Sequence, residues 1–432
     1  MLNLNILDGP VVLGLYILSA LSLFFVLSRR PLRGYLRPAV TGLLGGVLLG
    51  TAMKLLLVDG LNLFGGPVSE TVTALFIIGC GALGMTLSGL YKSRWPRKAG
   101  SLGGALIIAL TLTLAINATY GLNPTVAAFL HINTDPAAAL VAANPPATSA
   151  QTQPPLSSWS PPPDMPAHGT TGQLADANAI PNPASGFPAR NAEIYYPPAA
   201  LVKNPPALPF LLMMMGQPGD PTAKNIAAVL DQIAANHHGL APIVIVADQL
   251  SDPTKDPLCL DTALGKAETY LMKDVTSWAR SHLNILPNPA AWTIAGYSNG
   301  GQCANYFGAK YPALWGNILD VSGIEYAGAE QSTTVLKQIF AGNQQAYDAV
   351  KPAHIMAATR YADSTAIYTA GEKDAALVDV QQRMAHAASS AGITTHYVTI
   401  PGADHGVTAL DGGLTAGFKL LYPRLGLSTS TP

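Results

Sequence analysis

The spacing of apolar positions divides the chain into three regimes. Over the first 120 residues, near-continuous apolar runs at 10–28, 39–58, 71–90 and 101–120 are separated by short polar segments. A helix needs roughly 20 residues to cross the hydrocarbon core of a bilayer, and each run supplies about that many. The second regime, 144–166, holds eight prolines in 23 residues with almost no charge or bulky apolar content. It buries too little to fold, and its prolines favour an extended spacer. In the third regime, apolar runs of strand length recur at 192–196, 210–215, 242–247, 291–295, 317–321, 366–369 and 395–400, with helical stretches between most of them. Asp220 before Pro221 predicts a helix start and Gly239 its end; another helix is expected from near Asp261 to His282. Strands alternating with helices predict an α/β fold with a mainly parallel central sheet, whose ligands bind beyond the C-terminal strand ends. The expected units are an all-α, four-helix transmembrane anchor over 1–125, a Pro/Ala-rich linker over 126–168 and a catalytic domain over 169–432.

Composition sharpens the first regime. Only 11% of residues are charged, against roughly 25% in ordinary soluble domains, and the mean hydropathy is +0.27. The first run is not expected to be a removable signal peptide, because its positive charges follow it and three more runs come after. Arg29, Arg30, Arg33 and Arg37 lie between runs one and two, and Lys92, Arg94, Arg97 and Lys98 between runs three and four. Positive loops stay inside, so a multi-pass protein with an extracytoplasmic C-terminal domain is expected. Lys54, the one basic residue within a run, is placed to reach the headgroups, Asp59 or Glu70. Gly45, Gly46, Gly50, Gly79, Gly81 and Gly84 allow close helix packing. A formal net charge of −1 offers no basic face, so nucleic acid is not an expected partner.

The chemistry follows the fourth strand run. Gly296-Tyr297-Ser298-Asn299-Gly300-Gly301 is a GxSxG sequence between a strand and a small-residue helix over 302–310. A sharp strand-to-helix turn exposes the serine, and glycines two positions before and after avoid backbone collision. A serine hydroxyl needs a base, and His405, just after the last strand, stands where that base belongs when the order is Ser, acid, His. The turn after 366–369 offers Glu372 and Asp374 as orienting carboxylates; Asp374, at the end of the turn, is favoured. The oxyanion donors are expected to be the N–H groups of Asn299 and of Gln217, in the loop after 210–215. Asp248 and Glu325 follow strands and are candidates, with Tyr297, for the substrate pocket; a carboxylate there would suit an ammonium group. Asp248, Asp252 and Asp256 lack a calcium-loop pattern and read as solvated turn, so no metal or other cofactor is expected. Cys259 and Cys303 both fall near the active rim of an exported domain, where a disulfide is expected.

From about Gly169 to Leu425 the chain resembles the esterase D-like branch of the α/β hydrolases, which is related to the envelope mycolyltransferases. The resemblance rests on SGFPARNAEIYYPPAAL, GYSNGGQCA, AGEKD and IPGADHG. It implies Asp374 as the acid, while some mycolyltransferases use glutamate, which keeps Glu372 open. The family's oxyanion loop usually begins His-Gly, where this chain has Met215-Gly216. The expected function is a membrane-anchored serine esterase acting on a membrane or envelope lipid ester, for example aminoacyl-phosphatidylglycerol. The alternatives are an acyltransferase of mycolyltransferase type, passing the acyl group to a sugar or lipid alcohol, and a non-catalytic envelope scaffold or adhesin.

Overall fold

The four apolar runs form four helices: α1 Pro10–Leu27, α2 Leu32–Lys54, α3 Glu70–Leu87 and α4 Trp95–Tyr120. α2 continues into a π-helical turn, Leu55–Gly60. All four are long and apolar enough to cross a membrane. The structure, a computed structural model, describes residues 2–28, 32–61, 68–141 and 156–428. Arg29 and Arg30 lie outside the described residues. The chain forms two units, Met1–Asn133 and Thr134–Pro432.

Local signals set the helix ends in the first unit. Pro10 opens α1, the Ser69 hydroxyl accepts the Val72 N–H at the start of α3, and Gly121, at φ +68°, ends α4. α2 and α3 touch through their backbones: a Cβ on Gly46 would collide with the Cys80 carbonyl, and one on Gly84 with that of Gly42. Close packing through small residues suits an apolar medium, where burial of side chains from water cannot drive association. Gly45 instead faces open space. Phe24, Leu48, Ile78 and Leu106 are each at least 68% exposed, so the outside of this unit is apolar. The Lys54 ammonium pairs with Asp59 at 2.7 Å, one of the two partners its position suggested.

The second unit is built on an eight-stranded sheet: β1 Thr170–Gln173, β2 Glu193–Tyr196, β3 Phe210–Met214, β4 Ile243–Val246, β5 Trp292–Tyr297, β6 Asn317–Val321, β7 Thr365–Gly371 and β8 Thr394–Ile400. Their spatial order is 1-2-4-3-5-6-7-8. β2 runs antiparallel to both neighbours, and all pairs from β4 to β8 are parallel. β3, β4 and β5 are buried along their whole length, as strands covered on both faces must be, which explains their unbroken apolar runs. Phe210, Trp292 and Trp315 fill the core near the N-terminal ends of β3 and β5, with Phe210 and Trp292 ring centroids 4.7 Å apart. The covering helices include α5 Lys224–Ala234, α6 Thr276–His282, α7 Asn299–Lys310, α8 Ala375–Ser390 and α9 Val407–Arg424.

Three local expectations are corrected. The helix expected from Asp220-Pro221 begins at Lys224; the Ala223 N–H at its start donates to the Glu193 carboxylate at 2.7 Å, and the Asp220 carboxylate accepts from Arg190 at 2.7 Å. It ends at Ala234, with Gly239 at φ +75° closing the turn beyond it. Asp261 lies in a two-residue strand paired with Gly265–Lys266, and helix begins only at Ala267. Within the expected linker, residues 142–155 lie outside the described residues, while Leu140, Val141, Leu156 and Trp159 pack on the core of the second unit. β1, too short and polar to stand out as an apolar run, pairs with β2 at the sheet edge.

Candidate active site

The sheet register gathers the chemistry at one rim. Met214 stands opposite Gly296, Tyr297 opposite Val321, and Val321 opposite Thr369. The residues following β3, β5, β6 and β7 therefore emerge side by side. Ser298 occupies the turn between β5 and α7 at φ +55° and ψ −116°, a conformation costly for a residue with a Cβ. Its N–H is held by the Val321 carbonyl at 2.9 Å. Tight packing requires the flanking glycines: a Cβ at 296 would collide with the Gly300 carbonyl, and a Cβ at 300 with that of Met214.

His405 reaches Ser298 from the turn between β8 and α9. Its Nε2 lies 2.9 Å from Ser298 Oγ, and its Nδ1 lies 2.9 Å from Asp374 Oδ2. With the ring proton on Nδ1 donated to Asp374, Nε2 is free to accept the serine proton. The two turns are laced together by Glu372 N–H to the Ile400 carbonyl, 3.0 Å, and Lys373 N–H to that of Ala403, 2.8 Å. Gly371 permits this approach, since a Cβ there would lie 2.7 Å from the carbonyl oxygens of Ala403 and Asp404. Glu372, the other candidate acid, accepts instead from Gly402 N–H at 2.7 Å. Tyr297, buried at 2% exposure, stacks its ring on the His405 imidazole with centroids 5.2 Å apart. Its ring, expected in the substrate pocket, is thus buried against the base and presents almost no surface.

Asn299 opens α7, so its N–H is among those a helix start leaves without an intrahelical partner, at the positive end of the dipole. The Met215-Gly216-Gln217 loop runs beside it: a Cβ on Gly216 would lie 3.3 Å from Ser298 Cβ. Asp248, expected to line the pocket, is instead enclosed. It is 1% exposed, and its oxygens accept from Arg190 N–H at 2.7 Å, the Arg190 guanidinium at 2.8 Å, and the N–H groups of Leu250 and Ser251 at 3.0 Å each. The same guanidinium holds Asp220 and, at 2.8 Å, the Gly219 carbonyl, tying down the far end of the loop that follows β3. Glu325 is likewise engaged, by Arg383 at 2.7 Å, which offsets the charge proposed for an ammonium group.

Two residues of the rim were given no part in it by the sequence. Gln249, 2% exposed, donates to the Met215 carbonyl at 2.5 Å and to Asn299 Oδ1 at 3.1 Å. Asp256, expected as solvated turn, is part-buried against Asn299; burial raises its carboxyl pKa, and hydrogen bonds from Leu258 N–H and the Asn299 side chain oppose the rise. Nothing in the spacing of either residue marks it, because both act through the loop they pack on. Cys259 and Cys303 are disulfide-bonded, with Cα atoms 5.6 Å apart, which fastens this loop to α7 one turn beyond Asn299. Among the described residues no three His, Cys, Asp or Glu side chains group so as to hold a metal ion.

Fold and site together define an α/β-hydrolase fold carrying a Ser-His-Asp constellation at the C-terminal rim of its sheet. No family model matches the chain. It is similar to an uncharacterized protein of Corynebacterium glutamicum, 30% identical over 244 residues, which are 54% of this chain and 57% of that protein. The chain thus matches little more than half the length of this curated relative. Similar solved structures include an S-formylglutathione hydrolase from Agrobacterium tumefaciens, 14% identical with a TM-score of 0.48 over 61% of this chain and 98% of that one. A fluorophosphonate-binding serine hydrolase of Staphylococcus aureus is 13% identical, with a TM-score of 0.46 over 59% and 98% of the two chains.

Proposed function

We propose that the chain is a membrane-anchored serine esterase whose catalytic domain faces the extracytoplasmic side and acts on lipid esters of the membrane or envelope. The observation that carries the catalytic reading is the unbroken line of hydrogen bonds from Asp374 through His405 to Ser298. His405 takes the Ser298 proton as Oγ attacks the ester carbonyl; the N–H groups of Asn299 and Gln217 hold the oxyanion. The imidazolium, steadied by Asp374, then protonates the departing alkoxide. Water attacks the acyl-enzyme with His405 as base, releasing the acid and restoring the serine. Four helices able to cross a membrane support a substrate held at the bilayer; the Lys and Arg clusters between runs one and two and between runs three and four support the orientation.

The test uses the full chain in detergent. Hydrolysis of a short p-nitrophenyl ester and labelling of Ser298 by a fluorophosphonate are expected, and both should vanish in Ser298→Ala. Turnover unchanged in that variant would refute the assignment, and a folded wild type that neither hydrolyses nor labels would favour a scaffold. Release of free fatty acid or amino acid from lipid vesicles, by mass spectrometry, tests the substrate class.

A further inference from the structure

We infer that Gln249 is a positioning residue that sets both halves of the oxyanion hole with one side-chain amide; the inference rests on the esterase reading above. The residue follows β4 and lies between the two segments that supply the donors. Its Nε2 carries two hydrogens and meets two acceptors, the Met215 carbonyl at 2.5 Å and Asn299 Oδ1 at 3.1 Å. The first bond fixes the Met215–Gly216 peptide plane, the one immediately before the plane that carries Gln217 N–H. The second fixes the side chain of Asn299, whose own N–H is the other donor. The result is a chain of contacts, Asn299 to Gln249 to the Met215 carbonyl, that ties the oxyanion loop to the first residue of α7.

At 2% exposure, water has little access to replace Gln249. Its removal leaves two acceptors short of a donor and frees the loop to move relative to the serine. Oxyanion donors act by being in place before charge develops, so displacement weakens binding of the tetrahedral state far more than binding of the ground-state ester.

The experiment compares wild type with Gln249→Met, which keeps the length of the side chain and loses both hydrogen bonds. With a p-nitrophenyl ester, kcat is expected to fall roughly tenfold to a hundredfold with KM within about threefold, below the loss from deleting a donor outright. An aryl boronic acid, which forms a tetrahedral adduct on the serine, should bind Gln249→Met weaker by a similar factor. A purely structural role would lower Tm and leave kcat and boronate affinity intact in the folded fraction, and that result would overturn the inference. If Gln249→Met does not fold, Gln249→Leu, equally neutral and without the two donated bonds, is measured in its place. Failure of both to fold would assign the residue to stability and overturn the inference equally. An inactive, unlabelled wild type would instead sink the esterase reading, so the two failures are distinguishable.

Discussion

Replacing each candidate acid by its amide separates their roles. In Asp374→Asn, the carboxylate that accepts from His405 Nδ1 at 2.9 Å becomes an amide able to donate there. That favours the tautomer with its proton on Nε2, facing Ser298 Oγ 2.9 Å away, where the lone pair that should take the serine proton is lost. In another serine hydrolase the same change lowers kcat by about ten-thousandfold, so a loss of three to four decades, or about 4–5.5 kcal/mol in the barrier, is expected here. Glu372→Gln keeps an oxygen for the Gly402 N–H that Glu372 now holds at 2.7 Å. Since that bond is exposed, the variant should stay within about threefold of wild type. The assay is kcat/KM for a p-nitrophenyl ester, with Tm recorded for both variants to exclude unfolding. Near-wild-type activity in a folded Asp374→Asn, or a collapse in a folded Glu372→Gln, would show that the carboxylate beside Nδ1 does not orient the base.

Further outcomes follow from the packing around the elbow. Reduction of Cys259–Cys303, or Cys303→Ser, opens a loop of 44 residues' separation, which on chain-entropy grounds costs up to about 4 kcal/mol; intact mass should rise by two hydrogens on reduction, and denaturant midpoints report the loss. Gly300→Ala drives a methyl into the Met214 carbonyl, so a stability loss of about 3 kcal/mol or more is expected, with little folded protein recovered. Burial pushes the Asp320 carboxyl up to about 7, against hydrogen bonds from Gln381 and Gly323 N–H. The folded state then holds a proton that the unfolded chain releases near pH 4, so stability falls as pH rises from about 4 to 7, by at most about 1.4 kcal/mol per unit, and levels off above. Asp320→Asn should flatten the dependence of Tm on pH in that window; an identical slope in both proteins would contradict this.

What could be read from the sequence was whatever depends on neighbours along the chain. Ser298 was legible because its turn demands glycine at 296 and 300, and the close contacts of both positions show that demand in the packing. His405 and Asp374 were legible because a parallel sheet presents the residues after its strands to one rim, and each ends such a run. The same rule misled for Asp248, which also follows a strand: Arg190, 58 residues upstream, takes its carboxylate from backbone and side chain at once, and no local pattern records that pairing. The helix expected at Asp220 starts later for a similar reason, its first N–H being taken by Glu193, 30 residues upstream of Ala223. Gln249 and Asp256 were missed in the opposite sense, polar residues in a loop whose partners become adjacent only after folding. The strained serine is thus set by local sequence, whereas the alignment of its oxyanion donors depends on buried polar contacts between distant segments. Substitutions at Gln249 should therefore lower turnover while leaving the GxSxG elbow intact, the separation that the boronate measurement reads.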